Sequence, residues 1–327
     1  MNMMDEHNKQ NNCPTVATIG FFDGVHQGHR FLINQVKEVA DAYGLCSSVI
    51  TFPTHPRKVL QPEFCPLLLS TPDEKLRLLE ETGIDHCILL PFTLELSRLS
   101  AYEFMHLLRE EYNIRALVIG YDHRFGHNRS ETFEDYQRYG KELGIHIVRA
   151  DAYTEGEDKV SSSVVRRLLA QGDVTSASIL LGYPYPLEGR VTDGYKVGRK
   201  IGFPTANLAI SHPDKLIPCE GVYAVSVYVE GEKYAGMLNI GHRPTLNNGT
   251  NLSIEVHILG FAGNIYHQPI RLELLHFLRH EMKFESVDEL VLQMQKDKER
   301  IKLTSIIEVS TNLQEVECCC FLFVDLL

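Results

Sequence analysis

Through the first half of the chain, short apolar runs alternate with stretches whose apolar residues recur every three or four positions. Val16–Ile19, Ser47–Phe52, His86–Leu90, Ala116–Ile119 and His146–Val148 read as short buried strands. Phe31–Ala42, Asp73–Thr82, Ala101–Tyr112 and Phe133–Leu143 carry helical spacing between them. Strand and helix in strict alternation predict a parallel sheet with helices on both faces, and such sheets bind ligands beyond the carboxyl ends of their strands. After about Tyr183 the texture changes. Gly189–Thr192, Gly221–Glu230, Lys233–Asn239, Leu252–Leu259 and Pro269–Leu278 are strand-like, joined by Gly, Pro and Asn. That pattern predicts an antiparallel barrel, followed by one helix over Val287–Lys302. Gly182-Tyr-Pro-Tyr-Pro186 reads as the linker, because two prolines oppose helix continuation.

Composition narrows the function classes. A chain of 327 residues with 44% hydrophobic residues suits two packed domains. A net charge of −11 without a dense Lys/Arg block argues against nucleic acid as a partner. Met1–Asn12 is polar and lacks a signal-peptide core, and no apolar run is long enough to span a bilayer. The eight cysteines form no CxxC pair, which fits reduced thiols in a cytoplasmic protein.

The first chemical candidate follows the first strand: Gly20-Phe-Phe-Asp-Gly-Val-His-Gln-Gly-His29. Gly20, Gly24 and Gly28 allow close backbone approach, and the helix that follows offers unpaired N–H groups to an anion. His26 and His29 are spaced to bracket one phosphoryl group and to donate hydrogen bonds as charge develops on it. A plain glycine-rich turn is the competing explanation; zinc is a weaker one, since no third ligand stands at suitable spacing. Ser161-Ser-Ser-Val-Val-Arg-Arg167 is a second helix start, where Ser161, Ser162, Ser163 and Arg166 cap a helix or grip a triphosphate.

These motifs, with TFPTHP (51–56) and GYDHRFGHNR (120–129), resemble the adenylyltransferase module of bacterial bifunctional FAD synthetases, within the nucleotidyltransferase superfamily. The resemblance implies that His26 and His29 stabilise the α-phosphate of ATP and that Ser161–Ser163 and Arg166 hold the β- and γ-phosphates. Gly20, Phe21, Asp23 and Gly24 would belong to the same nucleotide loop, and Asp122, Arg124 and Phe125 would face the flavin. FMN phosphate would then displace pyrophosphate. Three positions depart from the common family forms: Phe21, His123, and Ser163 in place of threonine.

The second candidate is Gly198-Arg-Lys-Ile-Gly-Phe-Pro-Thr-Ala-Asn207. Residues two apart in an extended segment face the same way, so Thr205 and Asn207 present two hard oxygen ligands suited to Mg²⁺ with nucleotide phosphates. Gly198 and Gly202 allow a close-fitting loop. In Leu252–Leu259, Ile254, Val256 and Ile258 take one face and Ser253, Glu255 and His257 the other. Such a glutamate is either solvated or a base for an attacking hydroxyl.

GRVTDGYKVGRKIGFPTANL, GVYAV, NIGHRPT, IEVHIL and FLRHEMKF resemble the riboflavin kinase family. The similarity implies a six-stranded barrel, ATP and Mg²⁺ at Thr205 and Asn207, Gly198 and Arg199 in the phosphate loop, and Glu255 as the base that activates riboflavin. Lys196 and Arg279 are weaker candidates for this site, with a solvated surface role as the default expectation for both. The expected division is 13–182 for the adenylyltransferase domain and 183–303 for the kinase domain, with 304–327 unassigned. The expected partners are riboflavin, FMN and ATP, with no nucleic acid and no membrane, on a monomer or weak homo-oligomer. A flavin carrier without turnover, and an adenylyltransferase for another phosphorylated substrate, are the alternatives.

Overall fold

The computed structural model describes residues 1–4, 13–61, 63–64, 67–120, 123–127, 130–155, 158–194, 197–243 and 251–303. The chain divides into two compact units. The first comprises Met1–Arg166, Leu180–Gly182 and Asp214–Leu216; the second comprises Arg167–Ile179, Tyr183–Pro213 and the chain from Ile217 onward.

The first unit is built on strands β1 (Asn2–Met4), β2 (Thr15–Ile19), β3 (Cys46–Thr51), β4 (His86–Leu89), β5 (Ile114–Ile119) and β6 (His146–Arg149), in sheet order β1-β4-β3-β2-β5-β6. Every pairing is parallel. Its helices are α1 (Gln27–Tyr43), α2 (Pro56–Leu60), α3 (Pro72–Glu80), α4 (Leu94–Arg98), α5 (Ala101–Tyr112) and α6 (Phe133–Leu143). Capping boxes at Thr71/Glu74, Ser100/Glu103 and Thr132/Asp135 start α3, α5 and α6 by satisfying otherwise orphaned N–H groups. β2 is buried along its whole length, as a strand covered on both faces must be. Strand order reverses between β2 and β5, so the loops leaving these two strands flank the switch point of the sheet. A short hairpin, β7 (Thr154–Glu155) and β8 (Asp158–Lys159), precedes α7 (Ser162–Ala170), and α8 (Val174–Leu181) follows.

The second unit is a closed antiparallel barrel of β9 (Tyr185–Thr192), β10 (Ala206–Ile210), β11 (Gly221–Val229), β12 (Glu232–Arg243), β13 (Asn251–Ile258) and β14 (Pro269–Arg279), in the order β10-β13-β12-β11-β14-β9. A one-turn helix, α9 (Val197–Lys200), lies between β9 and β10. Buried side chains alternate along the strands, as in Ile254, Val256 and Ile258 or Ile270, Leu272 and Leu274. A last helix covers 287–303, and its Ile301 joins Phe203, Val222, Ala224, Met237 and Leu278 in one apolar cluster.

The sheet and barrel match the expected fold, with two local corrections. Tyr185 and Pro186, read as linker, are the buried start of β9; Pro186 pairs with Glu273 at the strand's beginning, where a missing N–H is tolerated. Cys13 and Cys46, read as reduced thiols, form a disulfide; β2 and β3 pair Thr15 with Cys46, which brings Cys13 within 6.2 Å between Cα atoms. Cys87 is a buried free thiol whose pKa burial pushes up to about 11, which keeps it in the thiol form near pH 7.

Candidate active sites

The loop leaving β2 folds as a single tight turn, Asp23–Val25, with positive φ at Phe22 (54°), Gly24 (75°) and Val25 (34°). Such backbone persists only where its surroundings hold it. Here the Asp23 carboxylate, almost wholly buried, accepts from the backbone N–H groups of Leu69 (3.1 Å) and Ser70 (3.0 Å) and pairs with Arg166. Gly24 N–H donates to Ser70 Oγ at 2.9 Å, and Ser162 Oγ donates to Asp23 O at 3.0 Å. Arg166 Nε donates to Leu67 O at 2.8 Å. Ser161 Oγ accepts from Val164 N–H and caps α7, while Ser163 is exposed.

His26 is the N-cap of α1 and its Nδ1 accepts from His29 N–H at 3.3 Å. With Nδ1 accepting, the proton of the neutral ring sits on Nε2, which is the donor available to a ligand. The His26 and His29 rings stack with centroids 3.6 Å apart. A Cβ at Gly28 would press on the His26 ring at 3.3 Å and touch Val160 O at 3.4 Å, so glycine gives the ring its closest approach to the backbone. Burial pushes His26 down to about 4, with Arg166 adding to the effect. Burial also holds His29 well below the usual imidazole range, reinforced by His26 and Lys75, and its buried Nδ1 has no partner among the described residues. Both rings are therefore neutral near pH 7, at the positive end of a 17-residue helix. Among the described residues, no group of three or more His, Cys, Asp or Glu could hold a metal ion.

Beside this loop, at the sheet's switch point, lies a cavity of 340 Å³. Its walls include Gly20 and Phe21 from the β2 loop, Phe52 and His55 after β3, and Arg124 and Phe125 after β5. Phe125 stacks on Tyr136 (4.4 Å), whose hydroxyl bonds the Phe125 backbone at 3.1 Å on both N–H and C=O sides. The wall is thus preset. Asp122 lies outside the described residues.

In the barrel, register does the positioning. Asn207 of β10 pairs with Glu255 of β13, and Glu255 pairs with Asn239 of β12, so three adjacent strands carry Asn207, Glu255 and Asn239 side by side. Thr205 Oγ1 donates to Glu255 Oε2 at 3.1 Å and Ser253 Oγ to Oε1 at 2.8 Å. Two cavities meet at Thr205. One, of 340 Å³, is lined by Gly198, Phe203, Val222, Met237, Glu255 and Met294; the other, of 390 Å³, by Val191, Arg199, Pro204 and the 261–266 segment. Arg199 reaches Tyr266 Oη at 3.3 Å. His257 is buried, and its Nδ1–H donates to Pro204 O at 2.8 Å.

One chain thus carries a candidate site at the switch point of the sheet and another in the barrel, and the comparisons with known proteins divide it in the same two parts. The FAD synthetase family model matches residues 8–164 and the riboflavin kinase family model residues 181–304. A Listeria monocytogenes protein named bifunctional riboflavin kinase/FMN adenylyltransferase is 37% identical over 285 residues, covering 87% of this chain and 90% of its own length. The chain belongs to the bifunctional riboflavin kinase/FMN adenylyltransferase family. Relatives of the same name in Escherichia coli (38%, covering 86% of this chain and 90% of theirs) and Bacillus subtilis (36%, covering 89% and 92%) agree. A Streptococcus pneumoniae crystal structure described as a macrolide-efflux protein superposes with a TM-score of 0.85 at 31% identity, covering 92% of this chain and 99% of that one. Among the described residues here, no helix is long and apolar enough to cross a membrane.

Within this family framework, the structure gathers Asp23, His26, His29, Ser162 and Arg166 around one loop. It joins Thr205 directly to Glu255, with Asn207 as the register neighbour. Arg279 is not the solvated side chain expected: it pairs with the buried Asp297 of the last helix at 2.9 Å and lines the Glu255 cavity. Lys196 lies outside the described residues. Sequence reasoning assigned no role to His55, Lys75 or Asn239, nor to Glu281, which lines the Glu255 cavity and accepts from Asn239 Nδ2 at 3.1 Å. His55 packs edge-on to Phe21 (4.6 Å), a contact signalled only by the TFPTHP motif itself. Lys75 donates to Phe52 O at 2.8 Å and lies 4.2 Å from the Phe21 ring centre; within the bland helical run DEKLRLLE nothing marks it.

Proposed function

We propose that the barrel phosphorylates riboflavin to FMN and that the sheet unit then joins FMN to the AMP moiety of ATP, giving FAD and pyrophosphate. The observation that carries this reading is the placement of Glu255: a carboxylate clasped by two hydroxyls, on the wall of an apolar cavity, in a chain that also carries a stacked histidine pair at a helix start.

In the barrel, the Phe203, Val222, Met237 and Met294 walls suit the isoalloxazine, and the Arg199–Tyr266 side suits the nucleotide. Glu255 takes the proton of the ribityl 5′-hydroxyl as that oxygen attacks the γ-phosphorus, and ADP leaves. Thr205 Oγ1 and Asn207 Oδ1 are hard, neutral oxygen donors beside a carboxylate, a set that fits Mg²⁺ arriving with phosphates. When bound, Mg²⁺ would neutralise phosphate charge.

In the sheet unit, the switch-point cavity receives FMN between Phe21, Arg124 and Phe125. An FMN phosphate oxygen attacks the α-phosphorus of ATP. His26 Nε2–H and His29 donate to its non-bridging oxygens, where charge accumulates. The Ser161–Ser163 helix start and Arg166 hold the β- and γ-phosphates until pyrophosphate leaves. Small-molecule substrates, a cytoplasmic setting and a monomer or weak homo-oligomer complete this reading.

The test is incubation with riboflavin, ATP and Mg²⁺, with flavins separated over time. FMN should rise first and FAD follow with matching pyrophosphate. Retention of flavin without turnover would favour a carrier. Phosphorylation without adenylylation would favour another substrate for the sheet unit.

A further inference from the structure

Asp214–Leu216 follows β10 in the chain and falls inside the riboflavin kinase match, yet it belongs to the first unit. Its backbone forms a parallel bridge with Leu68: Leu68 N–H donates to Asp214 O at 2.7 Å and Leu216 N–H to Leu68 O at 2.8 Å. Asp214 pairs with Lys58 of α2 at 2.7 Å. Lys215 Nζ donates to Leu69 O at 2.8 Å and pairs with Glu74 of α3 at 2.7 Å, with side-chain exposures of only 1% and 4%. Glu74 is also the capping-box residue of α3, through Thr71 N–H.

The opposite side of the same segment, 67–70, holds the nucleotide loop. Leu67 O receives Arg166, the Leu69 and Ser70 N–H groups hold the Asp23 carboxylate, and Ser70 Oγ holds Gly24. Leu68 and Leu69 are therefore held by 214–216, and Leu67, Leu69 and Ser70 in turn hold Asp23, Gly24 and Arg166. A buried ion pair adds little net stability over an apolar pair of like volume, and its best-attested use is to fix register. We propose that Lys215 is a positioning residue of the adenylylation site: by holding Leu69 within the 67–70 segment it sets the Asp23–Arg166 pair, and so the aim of the Arg166 guanidinium at the triphosphate. The kinase-matching part of the chain thereby completes the other activity's site. The inference rests on the reading of the first unit as the adenylyltransferase.

The experiment is steady-state kinetics on the full chain. In Lys215→Met, the KM for ATP in FMN adenylylation should rise about 10-fold or more, since small displacements of positioning groups carry such costs. The KM for FMN should stay within about twofold and riboflavin phosphorylation should be unchanged. A merely structural role would lower kcat through a smaller folded fraction and leave the KM for ATP alone. Lys215→Met with Glu74→Gln removes both buried charges; it should recover thermal stability while keeping the raised KM, and it carries the test if the single variant does not fold. An unchanged KM for ATP in either folded variant, or an equal fall of both activities, overturns the proposal. A wild-type chain that forms no FAD from FMN refutes the adenylyltransferase reading itself, before any variant is compared.

Discussion

His26 and His29 lie face to face at 3.6 Å, a distance at which two imidazolium ions would repel strongly. Burial keeps them neutral, and this has a pH signature. His26 titrates near 4 in the folded chain against 6.5 unfolded, so between these values the unfolded state binds more protons. Its contribution to stability is present in full above pH 6.5, falls as pH drops, and is lost below about 4. The integrated loss is roughly 3 kcal/mol. Denaturant midpoints of the sheet unit followed from pH 7 to 4 should show this decline, and His26→Asn should make it shallower while leaving the part that buried His29 adds; an unchanged slope in the variant would rule out His26 as a source. The histidine pair was legible in the sequence because its spacing and glycines are local. Lys75 was not, because what places it at Phe21 is the fold of α3 and not its neighbours in the chain. Burial pushes that amine down to about 8.

At the scale of elements, strand register explains what residue spacing could not. The alternation in Leu252–Leu259 placed Glu255 on a polar face; there Glu255 lines a cavity and is clasped by Thr205 and Ser253, which the alternation does not reveal. Asn239, on the neighbouring strand, becomes visible only once β12 and β13 are paired. β10 was read simply as an extended segment, since five residues leave little periodic signal. β1 escaped for the same reason. Arg279 shows the reverse error: a charged residue at a strand end looks solvated until the last helix brings Asp297 to it. Leaving Asp297 buried without its cation should cost about 3 kcal/mol or more. Arg279→Met should therefore lower the denaturant midpoint of the barrel unit, and adding Asp297→Asn should recover most of the loss. No change in the single variant would mean that the pair is immaterial to holding the helix.

At the scale of the whole molecule, the order of two families along one chain was readable because each carries several motifs at compatible separations. What was not readable is that the boundary between them is not a clean cut: Asp214–Leu216 serves the first unit from within the second match, a placement that only tertiary structure creates. In the proposed reading the two reactions nonetheless use different groups on different cavities. Neither His29→Ala nor Glu255→Ala should make FAD from riboflavin alone. The first should stop at FMN, and the second should still adenylylate added FMN. The most direct measurement mixes the two purified variants with riboflavin, ATP and Mg²⁺ and follows FAD. The mixture should form FAD through FMN released by one variant and taken up by the other; a mixture that forms none, from two folded variants that each retain their own half-reaction, would contradict two independent sites linked by free FMN.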